Sequence, residues 1–158
     1  MTSIVLTLKL VHVLGAAVLF GTGLGIAFFM FMAHRTHDPA TIAQTGRVVV
    51  IADAVFTASA VVVQPVTGVA LASIMGYSLG DSWIVAALGL YLFIGMCWLP
   101  VVAIQMRLRD IAAYAAEKGA QLPPDYFNLF RIWFWLGWPA FAGMIGLFAL
   151  MIWKPQLW

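Results

Sequence analysis

Four long apolar runs divide the chain, Ile4 to Ala33, Val48 to Gly76, Trp83 to Met106 and Phe127 to Trp153, and its polar residues gather in the short stretches between them. Each run reaches the roughly 20 residues that an α-helix needs to cross a hydrocarbon layer about 30 Å thick. None shows the ~10-residue alternating segments of a membrane barrel. The pattern predicts an all-α polytopic membrane protein, a bundle of four transmembrane helices in one domain over residues 1–158, with no room for a soluble one. The first run is too long for a signal peptide and has neither a basic stretch before it nor an obvious small-residue cleavage site. It is read as a retained helix.

The stretches between the runs carry helix starts. In "HDPAT", Asp38 can cap a helix whose first residue is Pro39, so the second helix is expected to begin about two turns before it enters lipid. "LPPDYF" does the same before the fourth. After the third run, Ile104, Leu108, Ile111 and Ala115 keep helical spacing as far as Lys118, before Gly119. The third helix is therefore expected to continue beyond the membrane, packing on the first connection or lying at the lipid surface.

Composition agrees with a membrane protein: 64% of residues are hydrophobic and only 9% charged, against about 25% charged in soluble domains. Six of the eight basic residues, Arg35, Arg47, Arg107, Arg109, Lys118 and Arg131, fall in or beside the first and third connections. The positive-inside rule puts that face in the cytoplasm and both termini outside. The expected location is the bacterial inner membrane, multi-pass. Trp83, Trp153 and Trp158 fit the outer interface. No nucleotide fold, hydrolase motif or nucleic-acid patch is present. Cys97 is the only cysteine, which leaves no internal disulfide and no cysteine metal cluster.

Ionisable residues inside a span cost about 2.5 to 3.5 kcal/mol each on insertion scales and are functional candidates for that reason. Asp53 and Arg131 lie at similar depth near the basic end and are expected either to pair, with Arg47 or His34 as competing partners, or, for the carboxylate, to relay protons. Gln64, beside Pro65, can donate an interhelical hydrogen bond that re-satisfies a proline-broken backbone. Ala17, Gly21 and Gly25 place small residues at every fourth position of the first helix, a contact face for another helix or a second copy. Phe127, Phe130, Phe134, Trp138 and Phe141 line one side of the last helix, as core, lipid-facing residues or a wall for a flat cofactor.

Lys9 and His12 lie one turn apart on one face of the first helix. An imidazole about two turns deep needs a hydroxyl, a carbonyl or a metal as its partner. A haem iron would satisfy it, with Lys9 one turn outward meeting a propionate. His34 and His37 lie too far along the same helix to share that metal, about 33 Å for the first of them. They are read as surface or ion-pair residues.

The strings "LKLVHVLGAAVLFGTGLG", "HR" at 34–35, "DAVFT", "QPVTG", "CWLPVV", "IQMRLRD" and "WFWLGWPAF" resemble a bacterial family of predicted four-helix membrane proteins known only as a domain of unknown function. The first helix is also similar to the copper-resistance CopD membrane domain and to the HemJ-type protoporphyrinogen oxidases. In the HemJ group a Leu-Lys-x-x-His start and a histidine at the end of the same helix recur, and the proteins bind haem b. Lys9, His12 and His34 occupy those places here, while "AFFMFMAHR" lacks that group's Pro-Arg step. The resemblance implies haem b on His12 and an oxidoreductase or electron-transfer role, with a quinol or porphyrinogen as lipophilic substrate. The expected partners are membrane lipid, a quinone or other redox partner, and a second copy. The alternatives are a non-redox accessory subunit or a copper-handling protein; the eight methionines are scattered and give the latter no cluster.

Overall fold

A computed structural model of the chain describes residues 2–158. It consists of helices and short connections: α1 Thr2–Thr36, α2 Pro39–Ala52, a π-helical turn Asp53–Thr57, α3 Ala58–Met75, α4 Ser82–Glu117 and α5 Pro124–Trp153. The segments α2, the π turn and α3 form one continuous span, so four apolar helices are long enough to cross a membrane. The chain runs up and down through them, bringing the first and third connections to one end, here called the basic end.

Local chemistry sets the helix boundaries. Asp38 is extended, and its carboxylate accepts from the Thr41 amide at 2.8 Å and the Thr41 hydroxyl at 2.6 Å. Those two bonds hold the Asp38 carboxyl below the usual carboxylate range, and Pro39 supplies the first helical residue. Helix α4 ends at Glu117 and is followed by Gly119 in the left-handed region, φ +61°, a conformation that glycine adopts without a Cβ clash.

Packing differs between the two ends. At the basic end, α2 lies along α4, and Ile42, Val49, Leu108, Ala112, Tyr126, Phe130 and Trp133 form a buried cluster with Ile26 and Met30 of α1. Of the two arrangements expected for the extension of the third span, the structure adopts packing on the start of the second. Towards the far end the helices separate into an α1–α3 pair and an α4–α5 pair. Phe20 bridges them through Phe141 and Phe148, with centroids 5.4 and 5.6 Å away.

The Ala17, Gly21, Gly25 face does not meet another helix of this chain. A Cβ on Gly21 would have nothing within 4 Å, and one on Gly25 would touch only Phe29 of the same helix. The close approach of α1 is made at Gly15 instead, where a Cβ would collide with the Gln64 amide of α3.

The Pro65 break is repaired otherwise than expected. Proline has no N–H for the carbonyl four residues back, which is Val61. The hydroxyl of Tyr91 on α4 donates to that oxygen, while Gln64 is engaged elsewhere. Tyr91→Phe should therefore lower stability by about 1 kcal/mol. The loss should shrink in a Pro65→Ala background, where the alanine N–H supplies the missing donor; a double-mutant cycle in mixed micelles reads the difference, and equal losses in both backgrounds would refute the pairing.

Candidate functional site

Helix α1 carries His12 to the seam with α3. Its Nδ1 lies 2.8 Å from the Thr67 hydroxyl, and that hydroxyl donates to the Val63 carbonyl at 2.8 Å and leans on the Gln64 carbonyl at 3.2 Å. Threonine has one hydroxyl hydrogen. With that hydrogen on the carbonyl side, the hydrogen between Thr67 and His12 belongs to the imidazole. In that tautomer Nδ1 carries the proton and Nε2 keeps its lone pair; among the described residues Nε2 makes no hydrogen bond. Gln64 closes the seam by donating from Nε2 to the His12 carbonyl at 2.7 Å. Gly68 leaves room for the ring, since a Cβ there would stand 3.3 Å from His12 Cε1.

Lys9 is exposed one turn outward on α1 and makes no hydrogen bond or ion pair among the described residues. Lys154, the other basic residue of the far end, is committed to Tyr77: its Nζ donates to the phenol oxygen at 2.9 Å and sits over the Tyr77 and Trp83 rings at 4.6 and 5.5 Å. Among the described residues, Lys9 is thus the cation near His12 without a hydrogen bond or ion pair.

A ligating histidine characteristically donates its other ring N–H to a fixed acceptor, which sets the tautomer and ring orientation. In the tautomer with Nδ1 protonated, the Thr67 hydroxyl would be such an acceptor for His12, so the residues would supply one imidazole to a haem. They supply no second histidine: His34 and His37 are at the basic end, and among the described residues no three His, Cys, Asp or Glu gather as a metal site.

At the basic end, the His34 ring stacks on Phe130 with centroids 3.6 Å apart, and its Nδ1 lies 3.3 Å from the Tyr126 hydroxyl. Phe31, Phe127, Phe130 and Phe134 join it in a shallow cleft with Arg131 at the rim. The expected aromatic row of the last helix is thereby divided, since Trp138 is exposed and Phe141 stacks on Phe20.

The expected ion pair of Asp53 with Arg131 does not form. Arg131 is exposed and donates to Asn128 at 2.7 Å. Asp53 is 5% exposed and accepts from the Trp98 indole N–H at 3.3 Å. Similar depth did not suffice, because Phe130 and Trp133 turn inward on α5 and Arg131, next to Phe130, turns away from the core.

Sequence reasoning passed over Thr67, Gly15, Gly68, Trp98, Thr57 and Gln105. Several stand inside strings already singled out: "QPVTG" contains Gln64, Thr67 and Gly68, and "DAVFT" begins at Asp53 and ends at Thr57. The threonine at the fourth place of "QPVTG", one helical turn from Gln64, was the available signal for a second hydroxyl partner on the face that meets His12.

In comparison with known proteins, the family model described as predicted integral membrane protein (DUF2269) matches residues 6–155. No curated protein and no solved structure matches the chain.

Proposed function

The chain belongs to this DUF2269 family of predicted integral membrane proteins, and we propose that it is a haem-b-binding redox protein of the bacterial inner membrane, with His12 Nε2 as the iron ligand. The observation that carries this reading is the α1–α3 seam itself: the Thr67 hydroxyl stands 2.8 Å from His12 Nδ1 and 2.8 Å from the Val63 carbonyl, which leaves Nε2 as the ring nitrogen without a hydrogen-bond partner among the described residues. When bound, haem supplies one-electron exchange with a lipophilic donor such as a quinol or porphyrinogen. The chain's part is to hold the imidazole in one tautomer and to keep Lys9 one turn outward for a propionate.

The deciding experiment is an absorption spectrum of the protein purified after expression with ample haem supply, oxidised and dithionite-reduced. A Soret band with reduced haem-b bands is expected; a colourless protein refutes the reading. Lys9→Met should lower haem content or shift the midpoint potential, because a propionate in the far half of the membrane loses its cation. Unchanged values would restrict the lysine to snorkelling at the interface.

The second reading, a non-redox accessory subunit, is favoured by the Gln64 bond to the His12 carbonyl, which makes the same seam a clasp between helices. We also propose that the uncovered Ala17, Gly21, Gly25 face packs against a second copy. The mass of the detergent-solubilised protein reads this directly, and a monomer ends the idea.

A further inference from the structure

Arg131 is exposed on α5 and divides its surface into two flanks. At roughly 100° per residue, Phe127, Phe134 and Phe130 lie about 40° to 100° to one side of it, and Trp135, Ile132 and Leu136 about 40° to 140° to the other. Each flank carries a shallow apolar groove. The first is the cleft between α1 and α5, where Phe31 meets Phe134 with centroids 6.0 Å apart and the His34 ring lies on Phe130. The second is formed by Ile132, Trp135 and Leu136. Their volumes are about 460 and 430 Å³, and Arg131 lines both. Two apolar arms of similar size therefore fit beside one cation.

Most of that cation is uncommitted. Of the five N–H donors of a guanidinium, one goes to Asn128 at 2.7 Å. Among the described residues the one ion pair is Arg109 with Asp110, so Arg131 has no counter-charge from the chain. Neither groove has an acidic lining residue. Depth makes this matter. Arg131 stands one turn inside the apolar run that begins at Phe127, where a charge is costly unless it is compensated. Asn128, three residues nearer the basic end, draws the guanidinium towards that end, the level at which lipid headgroups lie. His34 adds a second polar group to the lining: its Nδ1 is engaged by the Tyr126 hydroxyl, and its Nε2 makes no hydrogen bond among the described residues.

The chemistry of the surface selects its occupant. A phosphate takes a guanidinium through paired charge-assisted hydrogen bonds, and basic pockets between helices at the cytoplasmic side are favourable places for anionic headgroups. The two grooves call for two apolar chains on the same molecule, which a free anion lacks. The ammonium of a zwitterionic lipid would find no carboxylate in the lining. A second copy packed here about a twofold axis would set its own cation against this one, because such an interface uses the same patch on both partners.

We propose that Arg131 and the grooves on either side of it bind one diacyl phospholipid of net negative charge from the leaflet at the basic end. The phosphate lies on the guanidinium, one chain lies in the α1–α5 cleft, and the other lies over Ile132, Trp135 and Leu136. The site is separate from His12, which is on the α1–α3 seam towards the far end, so it stands or falls without the haem reading.

The test is native mass spectrometry of the full chain in detergent, titrated with phosphatidylglycerol, phosphatidylethanolamine and lysophosphatidylglycerol of matched chains. Phosphatidylglycerol should bind roughly fivefold more tightly than phosphatidylethanolamine, the equivalent of one basic residue near an anionic surface. The single-chain lipid should be held more weakly than the diacyl form. Arg131→Gln should remove the preference while circular dichroism shows the helix content intact, and Arg47→Gln, a change at another exposed arginine, should keep it. The proposal is overturned if the two diacyl lipids bind alike, if Arg131→Gln keeps the preference, or if Arg47→Gln abolishes it as well. A lysolipid held as tightly as the diacyl form overturns the two-groove fit, and displacement of the bound lipid by inorganic phosphate overturns the choice of a lipid over a free anion.

Discussion

His12→Ala is expected to yield a colourless protein that still inserts and folds, while Thr67→Val keeps haem but holds it more weakly. The first change removes the one imidazole of the far half of the bundle, because His34 and His37, the other two histidines, are at the other end. The second leaves the ligand and removes the hydroxyl that stands 2.8 Å from Nδ1. Loss of such an outer hydrogen bond costs on the order of 10- to 100-fold in metal affinity. Haem per protein and the reduced-minus-oxidised spectrum measure both. If Thr67→Val and His12→Ala lower thermal stability alike and the wild type is colourless, the seam is a clasp and the accessory reading takes its place. A colourless Thr67→Val with full stability would mean instead that the hydroxyl does more than fix a tautomer.

The four spans, their up-and-down order and the helix starts at Asp38 and Pro39 were legible in the sequence, because each depends on composition or on one residue's backbone chemistry. Lys9 and His12 were legible as a pair because ionisable residues in an apolar run stand out. Their partners did not stand out. Thr67 is weakly polar and ordinary in a helix, and only the rotation of α3 about its axis decides whether it faces His12. Rotation also decided Asp53: the depth of Arg131 could be counted from the sequence, but the π turn and the inward set of Phe130 and Trp133 could not. The same holds for Tyr91, whose hydroxyl finds the Val61 carbonyl only once α3 and α4 are laid together.

The glycines make the point sharply, and they give the second large effect. Spacing singled out Gly21, where a Cβ would meet nothing within 4 Å, and passed over Gly46, where a Cβ would stand 2.9 Å from Arg109 Cβ and 3.3 Å from Arg109 Cα. Lipid tails are as apolar as leucine, so helices in a membrane are held by close packing rather than by a hydrophobic drive. The α2–α4 contact is the broad junction between the two halves of the bundle, and at Gly46 it depends on a missing side chain. Arg109 cannot yield cheaply, because the atoms in the way are its Cα and Cβ and not the flexible end of its chain. Gly46→Val should therefore lower stability by about 3 kcal/mol, at the upper end for overpacking. Gly21→Val should leave monomer stability within about 0.5 kcal/mol, as surface substitutions do. Unfolding in mixed micelles compares the two variants directly, and equal stability would show that α2 and α4 do not meet at Gly46.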